Sequence, residues 1–435
     1  IAGHIISLRL QKHTAFLHLS DGSTPSPLQV VLPPSACEGL NAGCSVRLRG
    51  RLVRSRGKGQ SVEFAVPEGG VELEGACDPL TYPLQNKQIR PETLRENAHL
   101  RPRLGQFAAV LRLRHHLARE THAWFEENGF WNVSTPVLTS SDCEGAGEVF
   151  SVQPDTPHSL LRTPSFFGRP AYLTVSAQLH LESLCSGLSR VYTLSPAFRA
   201  EPSLTHRHLA EFGMLEAEVG WPAGLGGVMD GLEGLLTRVL GRVVRGEAGE
   251  EVRLLRGEEG VKQLQKHAEG GWKRITYTQA VALLQEAEVE FVFPPTLGLG
   301  LQSEHEKWLA SNLGPVFVTH YPKGLKPFYM RASSGEQGVE SEGGTVECFD
   351  LLVPGIGELA GGSLREERLS LLSAAMDAHG LPRAEYEWYL DLRRYGRVPT
   401  GGYGLGWERL VSWITGTENV RDCIPFPRWA GSIVL

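Results

Sequence analysis

Hydrophobic and polar positions change period along the chain, and the changes divide it. Over residues 1–75 short apolar runs alternate with turns. Ile5–Leu10, Ala15–Leu19, Leu28–Leu32, Ser45–Val53 and Val62–Val66 read as five strands, with Asp21-Gly22 and Arg56-Gly57 as hairpin turns. Five short strands in this length suit a small Greek-key barrel of the oligonucleotide-binding (OB) type. Residues 76–103 carry YPLQNKQ and LRENAHLRPR, a proline-containing, basic composition suited to a linker. From Leu104 the apolar period becomes helical and runs toward Asn128-Gly129, which supplies a stop.

The stretch around which the rest is organised is 191–221, VYTLSPAFRAEPSLTHRHLAEFGMLEAEVGW. It predicts a strand, a polar cationic loop and a returning strand. Period-2 alternation puts Arg199 and Glu201 on one face of the first strand. In the second, Phe212, Met214, Glu216 and Glu218 share a face, and Gly213, Leu215, Ala217 and Val219 take the other. Carboxylates in line with an aromatic on an otherwise apolar hairpin cost desolvation energy unless a ligand or cation meets them.

Around this hairpin, AYLTVSAQLHLESL reads as a strand and then a helix capped by Ser176. Residues 222–272 are Gly-rich with helical charge patterns and no visible chemistry. PVFVTHYPKGLKPFYM (315–330) predicts a buried strand, a turn and a second strand, and residues 332–345 are of low complexity. VECFDLLVPGIGELAGGSLREERLSLL gathers Glu347, Asp350 and Glu358 around one strand and its turn, the oxygen-rich setting that Mg²⁺ requires. Ser363 and Glu366 have capping-box spacing, which predicts a helix starting there with Arg365 in its first turn. In GGYGLGWERLVSWITG (401–416), Gly402, Gly404 and Gly406 fall on one strand face and leave it bare for a nucleotide to approach. Arg409 opens the helix that follows. A Rossmann reading fails for want of an acid at the proper distance, and no P-loop appears.

Composition narrows the class. A net charge of −6 argues against binding nucleic acid by bulk electrostatics, though not against a local basic surface. Seven scattered cysteines without CxxC pairs make a disulfide scaffold or structural zinc site a poor reading, with a reducing compartment as the default. No apolar run reaches the length of a membrane span, so no membrane partner is expected.

The run FRAE, a short loop, then RHLAEF resembles motif 2 of the class II aminoacyl-tRNA synthetases, in the aspartyl/asparaginyl subgroup. GFWNVSTPVL resembles motif 1 around Pro136, GGYGLGWERLVSWITG resembles motif 3, and NVRDCIPFPR resembles the usual closing stretch. The resemblance covers nearly the whole chain and is nearest to the asparaginyl branch, in its animal mitochondrial form. It implies an α+β fold: a class II catalytic domain over 104–435, an antiparallel sheet flanked by helices, preceded by an OB-fold anticodon-binding domain over 1–75 and a hinge over 76–103. It implies ATP and Mg²⁺, a homodimer built on motif 1, and asparagine and tRNA-Asn as substrates.

Residue roles follow from the same resemblance. Arg199 is assigned to the α-phosphate and, with Arg409, to catalysis. Glu201 would accept from the adenine amino group, Phe212 and Arg409 would sandwich the ring, and Arg207 and His208 would serve the outer phosphates. Gly404 and Gly406 complete the ATP site, and Asp350 and Glu358 would bind ATP-linked magnesium. Glu144, in the mobile segment SSDCEGAGEVF, would lie near the substrate ammonium, Gln178 would face the substrate, and Arg365 would grip its side chain. Glu216 is the candidate that tells asparagine from aspartate. Phe16 would stack an anticodon base and Gln29 would read an edge; without the resemblance Phe16 suits a core position equally well. Two departures stand out: Gly3-His4 where the family usually has Gly-Trp, and Pro202 where Asn or Asp is common. The alternatives are an aspartyl or relaxed-specificity enzyme, a non-catalytic paralogue, and an ammonia-dependent asparagine synthetase, which normally lacks the N-terminal barrel. A compact chain implies the mitochondrial matrix by resemblance alone.

Overall fold

The computed structural model describes the chain except residues 56, 58–59, 85–88, 141–147, 155–165, 204 and 335–343. The N-terminal unit has seven strands: β1 (Ala2–Leu10), β2 (Ala15–Ser20), β3 (Leu28–Leu32), β4 (Ser45–Leu48), β5 (Arg51–Arg54), β6 (Val62–Ala65) and β7 (Val71–Gly75). Their order is β5-β6-β3-β2-β1-β4-β7. Strands β4 and β5 are nearly consecutive in the chain yet stand far apart in that order. A covalent link that short joins them only if the sheet curls, so the sheet wraps into a barrel. The single strand expected over Ser45–Val53 breaks at Gly50, where an added Cβ would lie 2.2 Å from the Ala65 carbonyl oxygen. Only glycine lets the chain turn that corner. Inside, Ile5, Leu17, Val30, Val46 and Leu48 form a closed core of their own.

The linker is short but tied down. It contains α1 (Pro91–Glu96), and Arg95 donates to both oxygens of Asp422 at 3.0 and 2.5 Å. Arg101 is 1 % exposed and donates to Asp422 and to the carbonyls of Arg421, Ile424 and Pro425. Burial pushes its guanidinium down to about 10. A cation sunk this deep persists because its two terminal nitrogens find a carboxylate and three backbone carbonyls.

The second unit opens on α2 (Gly105–Glu127), which ends at Gly129 with φ +73°. Short strands β8 (Trp131–Asn132), β9 (Leu138–Thr139) and β10 (Tyr172–Leu173) lead to α3 (Gln178–Leu188). The hairpin β11 (Arg190–Phe198) and β12 (Glu211–Gly220) comes next, with α4 (Gly224–Arg245) and α5 (Gly249–His267) filling the stretch that had shown no chemistry. Then follow β13 (Lys273–Thr276), α6 (Tyr277–Gln285), α7 (Ser303–Leu313), β14 (Val316–Thr319), β15 (Cys348–Val353), β16 (Gly357–Leu364), α8 (Leu369–Ala378), α9 (Arg383–Arg394), β17 (Thr400–Gly406) and α10 (Trp407–Thr415). The main sheet runs β13-β14-β15-β16-β17-β12-β11-β8, antiparallel except at its two ends, where β13 pairs β14 and β8 pairs β11 in parallel.

One face of this sheet is covered and the other is open. Leu215, Ala217, Tyr403 and Leu405 pack beneath α2, α4 and α10, whose own buried side chains include Leu113, Leu232, Leu236 and Val411. Leu232 is fully buried, which contributes about 2 kcal/mol by itself. With that face committed to the core, every alternate residue of β12 and β17 is forced onto the other side.

Two local expectations are corrected. No helix starts at Ser363, because β16 stays paired with β15 through Ser363 and with β17 through Leu364, and a sheet ladder outweighs one cap. The Ser363 hydroxyl instead accepts from Arg365, Glu366 binds Arg368, and α8 begins at Leu369. The second strand expected near 326–330 is only an isolated bridge, Met330 with Arg365. Pro322 and Pro327 lack the N–H groups a ladder needs.

Candidate active site

A cleft of about 360 Å³ opens on the free face of the sheet. Its floor follows from strand register. Met214 pairs with Gly406, Glu216 with Gly404 and Glu218 with Gly402, so three large side chains stand beside three glycines. A Cβ on Gly402 would lie 2.1 Å from Glu218 Oε2, and one on Gly404 would lie 2.5 Å from Met214 Cε. Gly402 is therefore bare to make room for Glu218, and Gly404 for Met214, and Gly404 and Gly406 also border the cleft.

Cations line one end. Arg199, Glu201, Arg207, His208, Phe212, Arg409, Gly404 and Gly406 all border the cleft. Arg199 and Glu201 lie just past the end of β11 at Phe198 rather than on it, although the Arg199 N–H still donates to the Ala210 carbonyl. The Arg199 guanidinium lies 5.7 Å from the Phe212 ring centroid and 3.8 Å from Glu201. Arg207 reaches α7, donating to Ser303 Oγ at 2.6 Å and to Glu306 at 3.1 Å. His208 Nε2 lies 3.3 Å from Glu201. Burial, with Arg409, Arg207 and Arg199 nearby, holds the imidazole below its usual range despite Glu201, so it is neutral at neutral pH.

Carboxylates and a second arginine fill the other end. Arg365 donates from Nε and Nη2 to Glu218 at 3.0 and 2.8 Å, and from Nη1 to Ser363 at 2.7 Å. Among the described residues this leaves one N–H on each terminal nitrogen without a partner. Burial pushes Glu218 up to about 7 against the pull of Arg365. Glu216 is anchored from α3, with Ser176 Oγ donating to Oε1 at 2.5 Å and the Ala177 N–H to Oε2 at 2.8 Å. Ser176 precedes the helix by two residues and also accepts from the Gln178 N–H, so it orders the start of α3 and Glu216 together. Gln178 lines the cleft and donates to Glu182 at 3.2 Å.

Between the ends, Lys326 Nζ donates to both oxygens of Asp350 at 2.8 and 2.7 Å. Arg409 donates to the Glu358 carbonyl at 2.9 Å and carboxylate at 3.2 Å. Burial raises Asp350, whereas Arg409, Lys326 and Arg207 outweigh burial and hold Glu358 below its usual range. Glu347 does not join them. It sits three residues from Asp350, hence on the opposite face, and pairs with Arg331 at 3.3 Å. Glu144 lies outside the described residues.

Sequence reading missed Lys326, Glu182, Glu306, Tyr389 and Arg393. Lys326 had a signal, a cation in an apolar, proline-flanked segment that needed a partner. The others announce themselves only through pairing across long sequence separations.

The barrel residues are far from the cleft in the chain and face outward. Burial alternates along β2, with Ala15, Leu17 and Leu19 inside and Phe16, His18 and Ser20 outside, so Phe16 is not core. Gln29 pairs with His18 across the strands, and its Nε2 donates to Glu63 at 3.2 Å. Glu63 also accepts from Ser55 Oγ at 3.2 Å.

Comparison with known proteins agrees with this layout. Residues 90–430 match the family model of class II tRNA synthetases (D, K and N). The chain is 45% identical to an asparagine–tRNA ligase of Xanthomonas campestris, over 99% of this chain and 95% of that protein. It is 43% identical to an asparaginyl-tRNA synthetase of Mus musculus, over 100% and 91%. Among solved structures, the asparaginyl-tRNA synthetase of Pyrococcus horikoshii complexed with asparaginyl-adenylate superposes with a TM-score of 0.88 at 30% identity, covering 100% of this chain and 95% of that one.

Proposed function

The chain belongs to the class II tRNA synthetases, and from that premise we propose that it joins asparagine to tRNA-Asn through an asparaginyl-adenylate, consuming ATP and releasing AMP and pyrophosphate. It is an aminoacyl-tRNA ligase. The observation that carries the substrate is the contrast between the two ends of one cleft. Three arginines crowd one end, suited to a polyphosphate. At the other, Arg365 is already neutralised by Glu218 and stands in the same cleft wall as the anchored acceptor Glu216, which suits an uncharged amide.

The first step needs no general base, since the substrate carboxylate attacks the α-phosphorus already ionised. Positioning and charge neutralisation then supply the catalysis. Arg199 would meet the α-phosphate, with a planar fork that Lys lacks. Arg409 and Arg207 would take the charge of the leaving pyrophosphate, Phe212 would stack the adenine and Glu201 would accept from its amino group. The two donors left on Arg365 would bind the amide oxygen, and Glu216 would accept from the amide nitrogen directly or through water.

A magnesium ion is part of the proposal. Among the described residues no cluster of three or more ligating side chains could hold a metal alone. Asp350 and Glu358 offer hard oxygen donors on the cleft wall, so they fit an ion whose remaining ligands are phosphate oxygens and water. When bound, it would screen phosphate charge. Lys326 and Arg409 hold these two carboxylates in its absence.

Three further assignments complete the reading. Phe16 and Gln29 would meet the anticodon on the outer barrel face. A homodimer would cover the open groove formed by Leu111, His115, Leu194, Pro196 and Ile424, which sedimentation tests. Resemblance to the animal mitochondrial form supports placement in the mitochondrial matrix, and imaging of the tagged chain in cells tests it. The deciding experiment is ATP–pyrophosphate exchange with asparagine and aspartate side by side. Exchange with asparagine and little with aspartate is expected. Equal exchange would move the chain to a relaxed-specificity enzyme, and none from folded protein would leave a non-catalytic paralogue.

A further inference from the structure

One carboxylate behind the amino-acid end has no duty in the reaction just described. Glu182 lies on α3, one turn beyond Gln178, and is 2 % exposed. The Tyr389 hydroxyl lies 2.8 and 2.9 Å from its two oxygens, Arg393 Nη2 donates to it at 2.7 Å and Gln178 Nε2 at 3.2 Å. Arg365 Nε stands 4.0 Å from the same carboxylate. Arg393 is fixed in turn: its Nε donates to the Glu366 carbonyl at 3.0 Å and its Nη2 also reaches Tyr389 Oη at 2.9 Å. Helix α9, which carries Tyr389 and Arg393, gives no residue to the wall of the cleft.

A buried ion pair is a costly way to hold two elements together, and apolar packing of the same volume does so as well or better. The arrangement is better explained by what it does to the field. Glu182 and Glu218 face the guanidiniums of Arg365 and Arg393 and offset their charge, and Glu216 on the same cleft wall as Arg365 adds one buried negative charge more. A substrate carboxylate entering here meets that excess, whereas an amide does not. The field is already felt locally, since Glu182 adds to burial in pushing Glu218 upward.

We propose that Glu182, ion-paired to Arg393 and hydrogen-bonded by Tyr389, is a specificity-determining residue that keeps negative charge behind Arg365, so that the cleft takes asparagine and repels aspartate. It does not line the cleft and acts through Arg365 and Gln178, which do, and this makes it a positioning residue. The inference deepens the ligase reading above and depends on it.

The test is ATP–pyrophosphate exchange by the full chain with each amino acid, at about pH 8, on the ionised side of Glu218's midpoint of about 7. Glu182→Gln keeps the shape and can still accept from Tyr389 and Arg393, but removes the charge. The asparagine-over-aspartate ratio of kcat/KM is expected to fall roughly tenfold, chiefly through a lower KM for aspartate. Arg393→Met removes a charge of the opposite sign, so the ratio should rise even where asparagine activation weakens, and Arg393→Lys should restore wild-type behaviour. Opposite responses to opposite charges are what a merely structural role cannot give. If Glu182→Gln and Arg393→Met depress both amino acids together with the ratio unmoved, the inference is wrong. Should Arg393→Met fail to fold, Glu182→Gln against Glu182→Asp, which keeps the charge, decides by the same ratio. A wild-type chain that exchanges with asparagine while Glu182→Gln leaves the ratio unchanged overturns this inference alone. A wild-type chain that does not exchange with asparagine overturns the ligase reading beneath it.

Discussion

Replacing Gly402 by alanine adds one methyl group and should remove most asparagine activation. The new Cβ would sit 2.1 Å from Glu218 Oε2, 2.2 Å from the Ala217 carbonyl oxygen and 3.0 Å from Arg365 Nη2. Ordinary contact begins near 3.4 Å, so the Glu218 carboxylate would have to retreat by about 1 Å. That exceeds what its 2.8 and 3.0 Å bonds to Arg365 can absorb. The Ala217 oxygen is backbone in the centre of the sheet and cannot yield cheaply. Disrupting a buried, hydrogen-bonded pair costs about 3–5 kcal/mol, and overpacking adds about 1–3 kcal/mol. Even a part of this expressed in substrate binding corresponds to a hundredfold or greater fall in kcat/KM for asparagine, at about 1.4 kcal/mol per factor of ten. Gly404→Ala is the matched control on the same strand face. Its Cβ meets only the terminal methyl of Met214 and stays 3.7 Å from Glu216, so a flexible thioether swings aside and activation should fall less than about tenfold. Pyrophosphate exchange with titrated asparagine, with thermal unfolding measured on the same samples, reads both effects. A Gly402→Ala chain that activates asparagine within about threefold of wild type would falsify the argument that bare strand space is what admits the Glu218–Arg365 pair.

Lys326→Met should destabilise the chain by about 3–5 kcal/mol in urea unfolding, because Asp350 would keep its burial and lose its cation. The double change with Asp350→Asn should recover much of that loss; no recovery would show that the lysine stem, not the pair, supplies the stability. Asparagine selectivity should depend on pH through Glu218. Its carboxyl, raised from the usual range to about 7, is ionised above that value and protonated below it, so the charge facing Arg365 fades as pH falls. The groups around it are Arg365, Glu182 and Thr400. The asparagine-over-aspartate exchange ratio should therefore be highest above pH ~7.5 and decline toward pH ~6; a flat ratio across that window would mean Glu218 stays ionised throughout.

How much of this was legible in the sequence depended on the range of the interaction involved. The period-2 face of 212–218 and the glycine face of 402–406 were readable because alternation is a local property, and the first lies on the cleft together with Gly404 and Gly406 of the second. The helix ending at Asn128-Gly129 was readable because its stop is a short-range signal. Local reading failed where two local rules competed. At Ser363-Leu-Arg-Glu366 the capping-box spacing is real, but the segment was already committed to two neighbouring strands. Glu347 was grouped with Asp350 by proximity in sequence, and strand alternation separated them. The partners of Glu182 were invisible because they are 207 and 211 residues away. Resemblance to a family supplied what alternation could not, namely which faces carry chemistry.

The clamp between the linker and the far end of the chain has a consequence for the order in which the protein can be made. The barrel's strands and buried core are drawn from within residues 2–75, so the barrel has what it needs to fold as soon as that length has left the ribosome. Arg95 and Arg101 must wait, because Asp422 lies 327 residues after the first and the carbonyls of Ile424 and Pro425 lie 323 and 324 after the second. During synthesis at about 5–20 residues per second, two linker arginines destined for burial stay hydrated for tens of seconds beside a finished barrel. The linker clamp on that barrel then closes only when residues 421–425 arrive.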